Sequence, residues 1–316
     1  MDVSIVIPCY NSEKNIEAVI ADLDKVFCSM KLEFEYILVN DCSRDRTLEV
    51  ISELARKRKN ITAIDLAKNS GQHASLMAGF HYAIGDVVVT CEDDGQTNTD
   101  VFPEMYNKIK AGYDVATVRM TDRGHRSFFR KAGSKVAEIM NRTLIYSNKD
   151  KPVFIIFMAK RFVIDELINY DQPFPYLNGL VSRTTSNIAE INSIQKDRNS
   201  GHSGYNFKKL LNLWLNGFTA FSIRPLRLSV VLGVISSLIG LVMAVVLIIR
   251  KLVMMDDVGA GWTSIIAVIL IMSGIILAVL GMIGEYIGRI YLCINHTPQY
   301  TIRTIIKSND KTKVNS

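Results

Sequence analysis

Neither of the two commonest phosphate cradles occurs in this 316-residue chain. No G-x-G-x-x-G follows the first strand-like run and no G-x-x-x-x-G-K-[ST] occurs anywhere, which removes the dinucleotide-binding and P-loop readings, and with them a dehydrogenase or an NTPase. Cysteine is scarce. Cys9, Cys28, Cys42, Cys91 and Cys293 are odd in number, scattered and without paired metal spacing, so disulfides and zinc are not expected, and reduced thiols in a cytosolic domain are. Met1 leads straight into Val3–Pro8, too short and too poorly flanked for a signal peptide, which is expected to leave the N-terminal domain on the cytosolic side. The net charge of +6 comes without a basic stripe interleaved with aromatics, so nucleic acid is not an expected partner. The cations gather near apolar segments and polar loops, where anionic lipid suits them better.

What the chain does have is length beyond one ordinary domain of roughly 100 to 200 residues. Leu228–Ile249 and Trp262–Ile283 are two runs of about 22 residues without a charged side chain, each able to cross a hydrocarbon core of ~30 Å as a helix. Lys208, Lys209, Arg224 and Arg227 precede the first, and Arg289, Arg303, Lys307, Lys311 and Lys313 follow the second. The link between them holds only Arg250 and Lys251. The positive-inside rule then puts both termini in the cytoplasm and the link outside, as in a multi-pass protein of the cytoplasmic (inner) membrane with the lipid bilayer as a partner. Asn206–Phe221 sets apolar and aromatic residues around Lys208 and Lys209, which fits a helix in the interface or one packed on the soluble domain. Glu285–Tyr291 reads as a further interfacial turn with tyrosine anchors, and Ser308–Ser316 as a polar, disordered tail. The expected division is residues 1–205 as the soluble domain, 206–227 as an interfacial amphipathic helix, 228–283 as two transmembrane helices with a short external link, and 284–316 as a cytoplasmic interfacial segment and tail.

Within the first part, Val3–Pro8, Glu35–Asn40, Thr62–Leu66 and Val87–Cys91 read as strands. Glu13–Met30, Thr47–Lys57 and Gly71–Ala83 carry helical patterns between them. This alternation implies βαβ units and a mostly parallel sheet whose ligands sit beyond the carboxyl ends of the strands. Polar residues follow each strand: Tyr10, Asn11 and Glu13 after the first, Asp41 through Thr47 after the second, Lys68 through Gln72 after the third. Asp45 or Ser43 could equally cap the helix that starts near Thr47, whereas Asp41 comes directly off the strand.

The fourth strand empties into Glu92-Asp93-Asp94-Gly95-Gln96, three carboxylates and an amide crowded together. Like charges this close raise one another's pKa, and a hard divalent cation with oxygen ligands relieves them. The bland alternative is an acidic loop facing water. Farther on come Arg119, Arg123, Arg126, Arg130 and Lys131 with Ser127 and Ser134. Arg130 and Ser134 are four apart on one helix face and suit a polyanion, while Arg123 and Arg126 fit a solvated basic face.

Together, Ile7-Pro8-Cys9-Tyr10-Asn11, Asn40-Asp41-Cys42-Ser43, Asn69-Ser70-Gly71-Gln72 with Met77-Ala78-Gly79, the acidic cluster, Phe221–Arg227 and Gly284–Tyr291 resemble the family-two, GT-A-fold glycosyltransferases that charge a polyprenyl phosphate with sugar. These include bactoprenol glucosyltransferases, dolichyl-phosphate mannose synthases and undecaprenyl-phosphate aminoarabinose transferases. The resemblance implies an α/β, Rossmann-like GT-A domain and an inverting transfer of sugar from a nucleotide-diphosphate sugar to polyprenyl phosphate, with Mg2+ or Mn2+. It implies that Pro8, Tyr10, Asn11, Glu13, Asp41, Asn69, Gln72 and Asp93 serve the donor. Glu92, Asp94 and Gln96 would stand where the family's D-x-D-x-Q binds metal. Arg119, Arg130, Ser134 and Arg198 would hold phosphates of donor and acceptor, with Asp94, Arg130 and Arg198 closest to the chemistry. Departures are Glu92 where the family has Asp, the stretch Asp150–Phe157, which lacks an Arg common in the family, and Gly204 in place of a Lys. Altered sugar recognition accounts for them, or a catalytically impaired nucleotide-sugar-binding or scaffold subunit. A processive polysaccharide synthase of the same fold would carry Q-x-x-R-W, which neither Trp214 nor Trp262 provides. Sugar, base, polyprenol length and oligomeric state, a homo-oligomer included, stay open at this level.

Overall fold

The computed structural model describes residues 1–121, 156–173, 175–194, 262–295 and 297–308, with isolated positions between 231 and 249. The chain divides into two compact units, Met1–Leu210 with His296–Ser316, and Leu211–Asn295.

In the first unit the elements run β1 Val3–Cys9, α1 Ile16–Ser29, β2 Phe34–Asn40, α2 Thr47–Lys57, β3 Ile61–Leu66, α3 Gln72–Phe80, β4 Val87–Thr90, α4 Val101–Lys110, β5 Val115–Thr121, β6 Phe157–Lys160, α5 Arg161–Ile168, α6 Leu177–Thr184, β7 Ile188–Ile194 and, after the second unit, β8 Ile302–Ile306. The eight strands form one sheet in the order β7-β5-β6-β4-β1-β2-β3-β8. Its centre is parallel (β4 to β1, β1 to β2, β2 to β3). β5 pairs parallel with β7, whereas β6 runs antiparallel to both β4 and β5 and β8 antiparallel to β3, so the sheet is mixed, with four of its seven pairings parallel. The strands and helices read from the first ninety residues are all present, with ends shifted by a few residues.

Every residue of β1 is buried, because helices cover both faces and a strand covered twice needs a continuous apolar run. One core gathers Val3, Ile5, Ile7, Tyr36 and Leu38 under α1 (Ile16, Ile20, Leu23, Phe27), α2 (Ile51, Ala55) and α4 (Phe102, Met105). On the other face Gly79 lets α3 lie almost on β1. A Cβ there would collide with Val6 Cγ1 and sit 3.2 Å from Val39 Cγ2. Valine is stiff at χ1, so neither neighbour yields easily. Gly79→Ala is therefore expected to destabilise by about 1–2 kcal/mol, overpacking outweighing the gain in helix propensity. Urea unfolding of the purified protein measures it; a stabilised variant would mean that α3 can move off the sheet.

The second unit contributes α7, Trp262–Ile294, one continuous helix of 33 residues, about 50 Å long at 1.5 Å per residue. It was expected as a span to Ile283 followed by a separate interfacial turn. Instead Glu285–Tyr291 continue the helix. Among the described residues it is the one helix long and apolar enough to cross a membrane, the qualifying stretch being Met272–Ile294. Ile269, Ile276, Leu277, Leu280, Ile287 and Ile290 are exposed along it. The segments expected as the first span, its external link and the interfacial helix at 206–227 lie outside the described residues, apart from the isolated positions between 231 and 249.

Candidate active site

Four parallel strands deliver their carboxyl ends to one edge of the sheet, with Cys9 opposite Asn40, Asn40 opposite Asp65 and Val6 opposite Thr90. The strand order reverses at β1, which has β4 on one side and β2 on the other. Such a switch point splays the following loops apart and opens a crevice between them. The loops at 10–15, 41–46, 67–71 and 91–100 line that edge.

The first two loops are stitched together by reciprocal bonds. Asn11 and Cys42 both take up left-handed backbone at φ 54°, which asparagine tolerates and cysteine rarely adopts. Asn11 N donates to Ser43 Oγ at 3.1 Å and its Oδ1 accepts Arg44 N at 2.9 Å. Glu13 N donates to Asp45 Oδ2 at 3.2 Å, and Glu13 Oε2 accepts Arg46 N at 2.9 Å. Asp45 also accepts Thr47 N at 3.0 Å, so it both closes the start of α2 and latches the first loop, whereas Ser43 serves the latch alone. Asn11 and Glu13, expected against the nucleotide, shape the crevice wall through these bonds. Pro8 is buried inside β1 opposite Val39. Tyr10, expected to serve the donor, is 46% exposed at the crevice edge.

Asp41 is buried at the end of β2. Its two oxygens accept Ser70 N at 2.6 Å and Gly71 N at 2.9 Å, and its own carbonyl accepts Asn69 Nδ2 at 3.0 Å. Gly71 stands at φ 86°, a conformation open to glycine, and opens α3. Burial raises the Asp41 pKa above the usual aspartate range although both N–H donors oppose it. The carboxylate thus fixes the loop that holds Asn69 and leads into α3 at Gln72, both exposed.

The acidic loop is tied to β1 rather than left to solvent. Tyr10 N donates to Asp93 Oδ2 at 2.9 Å, and Asp94 Oδ1 accepts Gln96 N at 3.0 Å across Gly95 at φ 73°. Asp93 is raised above the ordinary aspartate pKa, by burial first and also by the neighbouring Asp94 charge. That crowding is what a cation relieves. Among the described residues no group of three or more His, Cys, Asp or Glu side chains is arranged to hold a metal by itself. Mg2+ and Mn2+ used with phosphates need no such cage: one or two carboxylates suffice when water and substrate oxygens complete the shell. Glu92, Asp94 and Gln96 fit that hard-oxygen mode.

Arg119, near the carboxyl end of β5, pairs with Glu190 of β7 at 3.2 Å. β5 runs parallel to β4, both being antiparallel to β6, so Arg119 lies toward the edge that carries the crevice. Arg130, Ser134 and Arg198, with Lys151 and Gly204, lie outside the described residues. Phe157, which ends the departing stretch, is a buried residue of β6 in edge contact with Phe80. Two features escaped the sequence reading. One is His73 in the first turn of α3, half-buried and edge-on to Tyr176, its pKa pushed down to about 4 by desolvation. The other is the pairing of Asp65 with Arg303 across 238 positions. Its signal was present: a carboxylate in the apolar run Ile61–Leu66 demands a donor from elsewhere.

A mixed α/β sheet of this order, with an acidic loop at the switch point, has the GT-A architecture. The model of the family "Glycosyl transferase family 2" matches residues 4–168, and the chain belongs to that family and is a glycosyltransferase. It is 33% identical over 303 residues, covering 95% of this chain and 93% of the relative, to the uncharacterized glycosyltransferase YkcC of Bacillus subtilis. It is 31% identical over 310 residues, covering 96% and 94%, to undecaprenyl-phosphate 4-deoxy-4-formamido-L-arabinose transferase of Proteus mirabilis. Among solved structures, glucosyl-3-phosphoglycerate synthase from Mycobacterium tuberculosis in complex with Mn2+, UDP and phosphoglyceric acid superposes with a TM-score of 0.50 at 18% identity, over 69% of this chain and 76% of that one. At that identity the likeness is one of fold.

Proposed function

We propose that the protein transfers a sugar, with inversion and with a divalent cation, from a nucleotide-diphosphate sugar to a polyprenyl phosphate at the cytoplasmic face of a membrane. The observation that carries this reading is the acidic loop pinned by Asp93 to Tyr10 at the switch point, beside the loop gripped by Asp41. Near full-length similarity to transferases named for undecaprenyl phosphate supports the acceptor. An exposed apolar helix of 33 residues supports the bilayer.

A phosphate acceptor is ionised at neutral pH, so little general-base help is needed and the work is positioning and charge stabilisation. Tyr10 and the loop 69–72 face the nucleotide; Arg119, Arg130, Ser134 and Arg198 hold donor and acceptor phosphates. A divalent cation at Glu92, Asp94 and Gln96 would take up charge growing on the leaving diphosphate. The test is purified protein in detergent given a panel of nucleotide sugars. One sugar should be consumed only when polyprenyl phosphate is present, and chelation should stop it. Tight nucleotide-sugar binding without consumption would leave the impaired scaffold reading.

Arginine forks hold phosphate through two bonds where lysine offers a point charge. Arg130→Lys or Arg198→Lys should weaken use of polyprenyl phosphate by about 1.5–3 kcal/mol while nucleotide binding stays nearly unchanged. Calorimetry showing the loss on the nucleotide instead would move these residues to the donor site. For topology, cysteines engineered into 251–261 should react with an impermeant reagent in intact cells, and one at Ser316 should not. The opposite pattern would put the crevice on the wrong side for its donor.

A further inference from the structure

We infer that Arg303, on the strand that follows α7, is a positioning residue for the loop 67–71, an inference that rests on the donor-site reading above. β8 pairs with β3 through a register slip: Thr304 faces Asp65 and Ile302 faces Leu66, leaving Arg303 as the extra residue of a bulge. A bulge re-aims its side chain. Here Arg303 Nη1 lies 3.2 Å from Asp65 Oδ2, and Nη2 donates to Ala67 O at 3.1 Å. Ala67 N donates to Thr301 O at 2.8 Å, so both backbone polar groups of Ala67 are held, one by β8 and one by the residue just before it.

The same guanidinium reaches the neighbouring loop through a buried relay. Asp65 is 3% exposed, and its other oxygen accepts Asn40 Nδ2 at 2.7 Å. Asn40 Oδ1 in turn accepts Ser43 N at 3.3 Å. One cation therefore sets the base of the loop 41–46, through Asp65 and Asn40, and the base of the loop 67–71 directly. Ser70 and Gly71, gripped by Asp41, follow within four residues of Ala67. A buried carboxylate rarely adds net stability over an apolar side chain of its size, but once buried it strongly restricts where its partner stands. Here that partner is the strand returning from the membrane-type helix, with only residues 295–301 between them.

The test uses the full chain in detergent, with Arg303→Ala and Arg303→Lys. In Arg303→Ala, amide hydrogen exchange of residues 69–71 should accelerate by about 10-fold or more, the order of one lost charge-assisted hydrogen bond, with α4 unchanged. KM for the consumed nucleotide sugar should rise by a similar factor with kcat within about 2-fold, since the loop acts on binding. Lysine can keep the ion pair to Asp65 but not the fork to Ala67 O, so Arg303→Lys should recover thermal stability and leave exchange at 69–71 fast. Parental exchange and KM in the folded variants, even with a lowered Tm, would reduce Arg303 to a staple for an edge strand and overturn the inference. Should the alanine variant not fold, the lysine variant decides by the same exchange measurement. Asp41→Ala run in parallel separates the two ideas: unchanged KM in that variant overturns the donor-site reading, whatever the Arg303 variants do.

Discussion

Asp94→Asn is expected to lower kcat by about 10²-fold or more, equivalent to about 2.7 kcal/mol of transition-state stabilisation, while the protein folds as before. The side-chain oxygen that accepts Gln96 N at 3.0 Å can be kept by the amide, so this bond of the loop survives. What the amide cannot supply is negative charge for a cation beside the donor diphosphate. Removing that charge also relieves Asp93, whose carboxyl is raised by burial and by Asp94, so the variant should unfold at the parental temperature or slightly above. Transfer rates against Mg2+ or Mn2+ concentration, with circular dichroism as the folding control, decide the matter. Near-parental turnover saturating at the same metal concentration would remove Asp94 from the metal site.

The second large effect is expected at Asp41. Truncation to alanine leaves the Ser70 and Gly71 N–H groups without the acceptor they share, and a charged acceptor is worth about 1.5–3 kcal/mol for each such bond. The loop 67–71 should relax, costing about 3 kcal/mol of stability and about 10²-fold in nucleotide affinity, since the two share the same bonds. Asp41→Asn retains one acceptor oxygen but turns an amide N–H toward one of the two donors, so it should fall between parent and alanine. Thermal unfolding and calorimetric titration with UDP, GDP and CDP measure the two consequences. Parental affinity in a folded Asp41→Ala protein would mean that this loop does not touch the donor.

The central architecture was legible because its signals are local. β1 to β4 and α1 to α3 announce themselves by apolar runs of strand length separated by helical periodicity, and the expected Thr47–Lys57 helix is the one present. Which loops meet was legible too, since parallel strands place their polar ends on one edge. What each polar residue does there was less so. Asn11, Glu13, Asp41 and Asp93 read as ligand groups, and in the structure each also accepts a backbone N–H of a neighbouring loop. A carboxylate at a strand end satisfies orphan donors as readily as it binds a ligand, and composition does not separate the two. β8 was invisible for another reason. Its partner strand lies more than two hundred positions earlier, so nothing within Ile302–Ile306 marks it as part of the sheet.

The length of α7 bears on the lipid itself. In the membrane reading proposed above, a hydrocarbon core of ~30 Å needs about 20 helical residues, and this helix has 33. Two apolar windows overlap on it, Trp262–Ile283 from composition and Met272–Ile294 from the helix itself. A rod with two acceptable windows has no single preferred depth, and the local membrane selects one through hydrophobic mismatch, by tilt or by axial shift. Glu285, which lies within the second window but not the first, would leave or enter the apolar layer as that choice changes. Acyl-chain length thereby becomes a variable of turnover, and proteoliposomes made from short-chain and long-chain lipids should differ in transfer rate where detergent micelles do not.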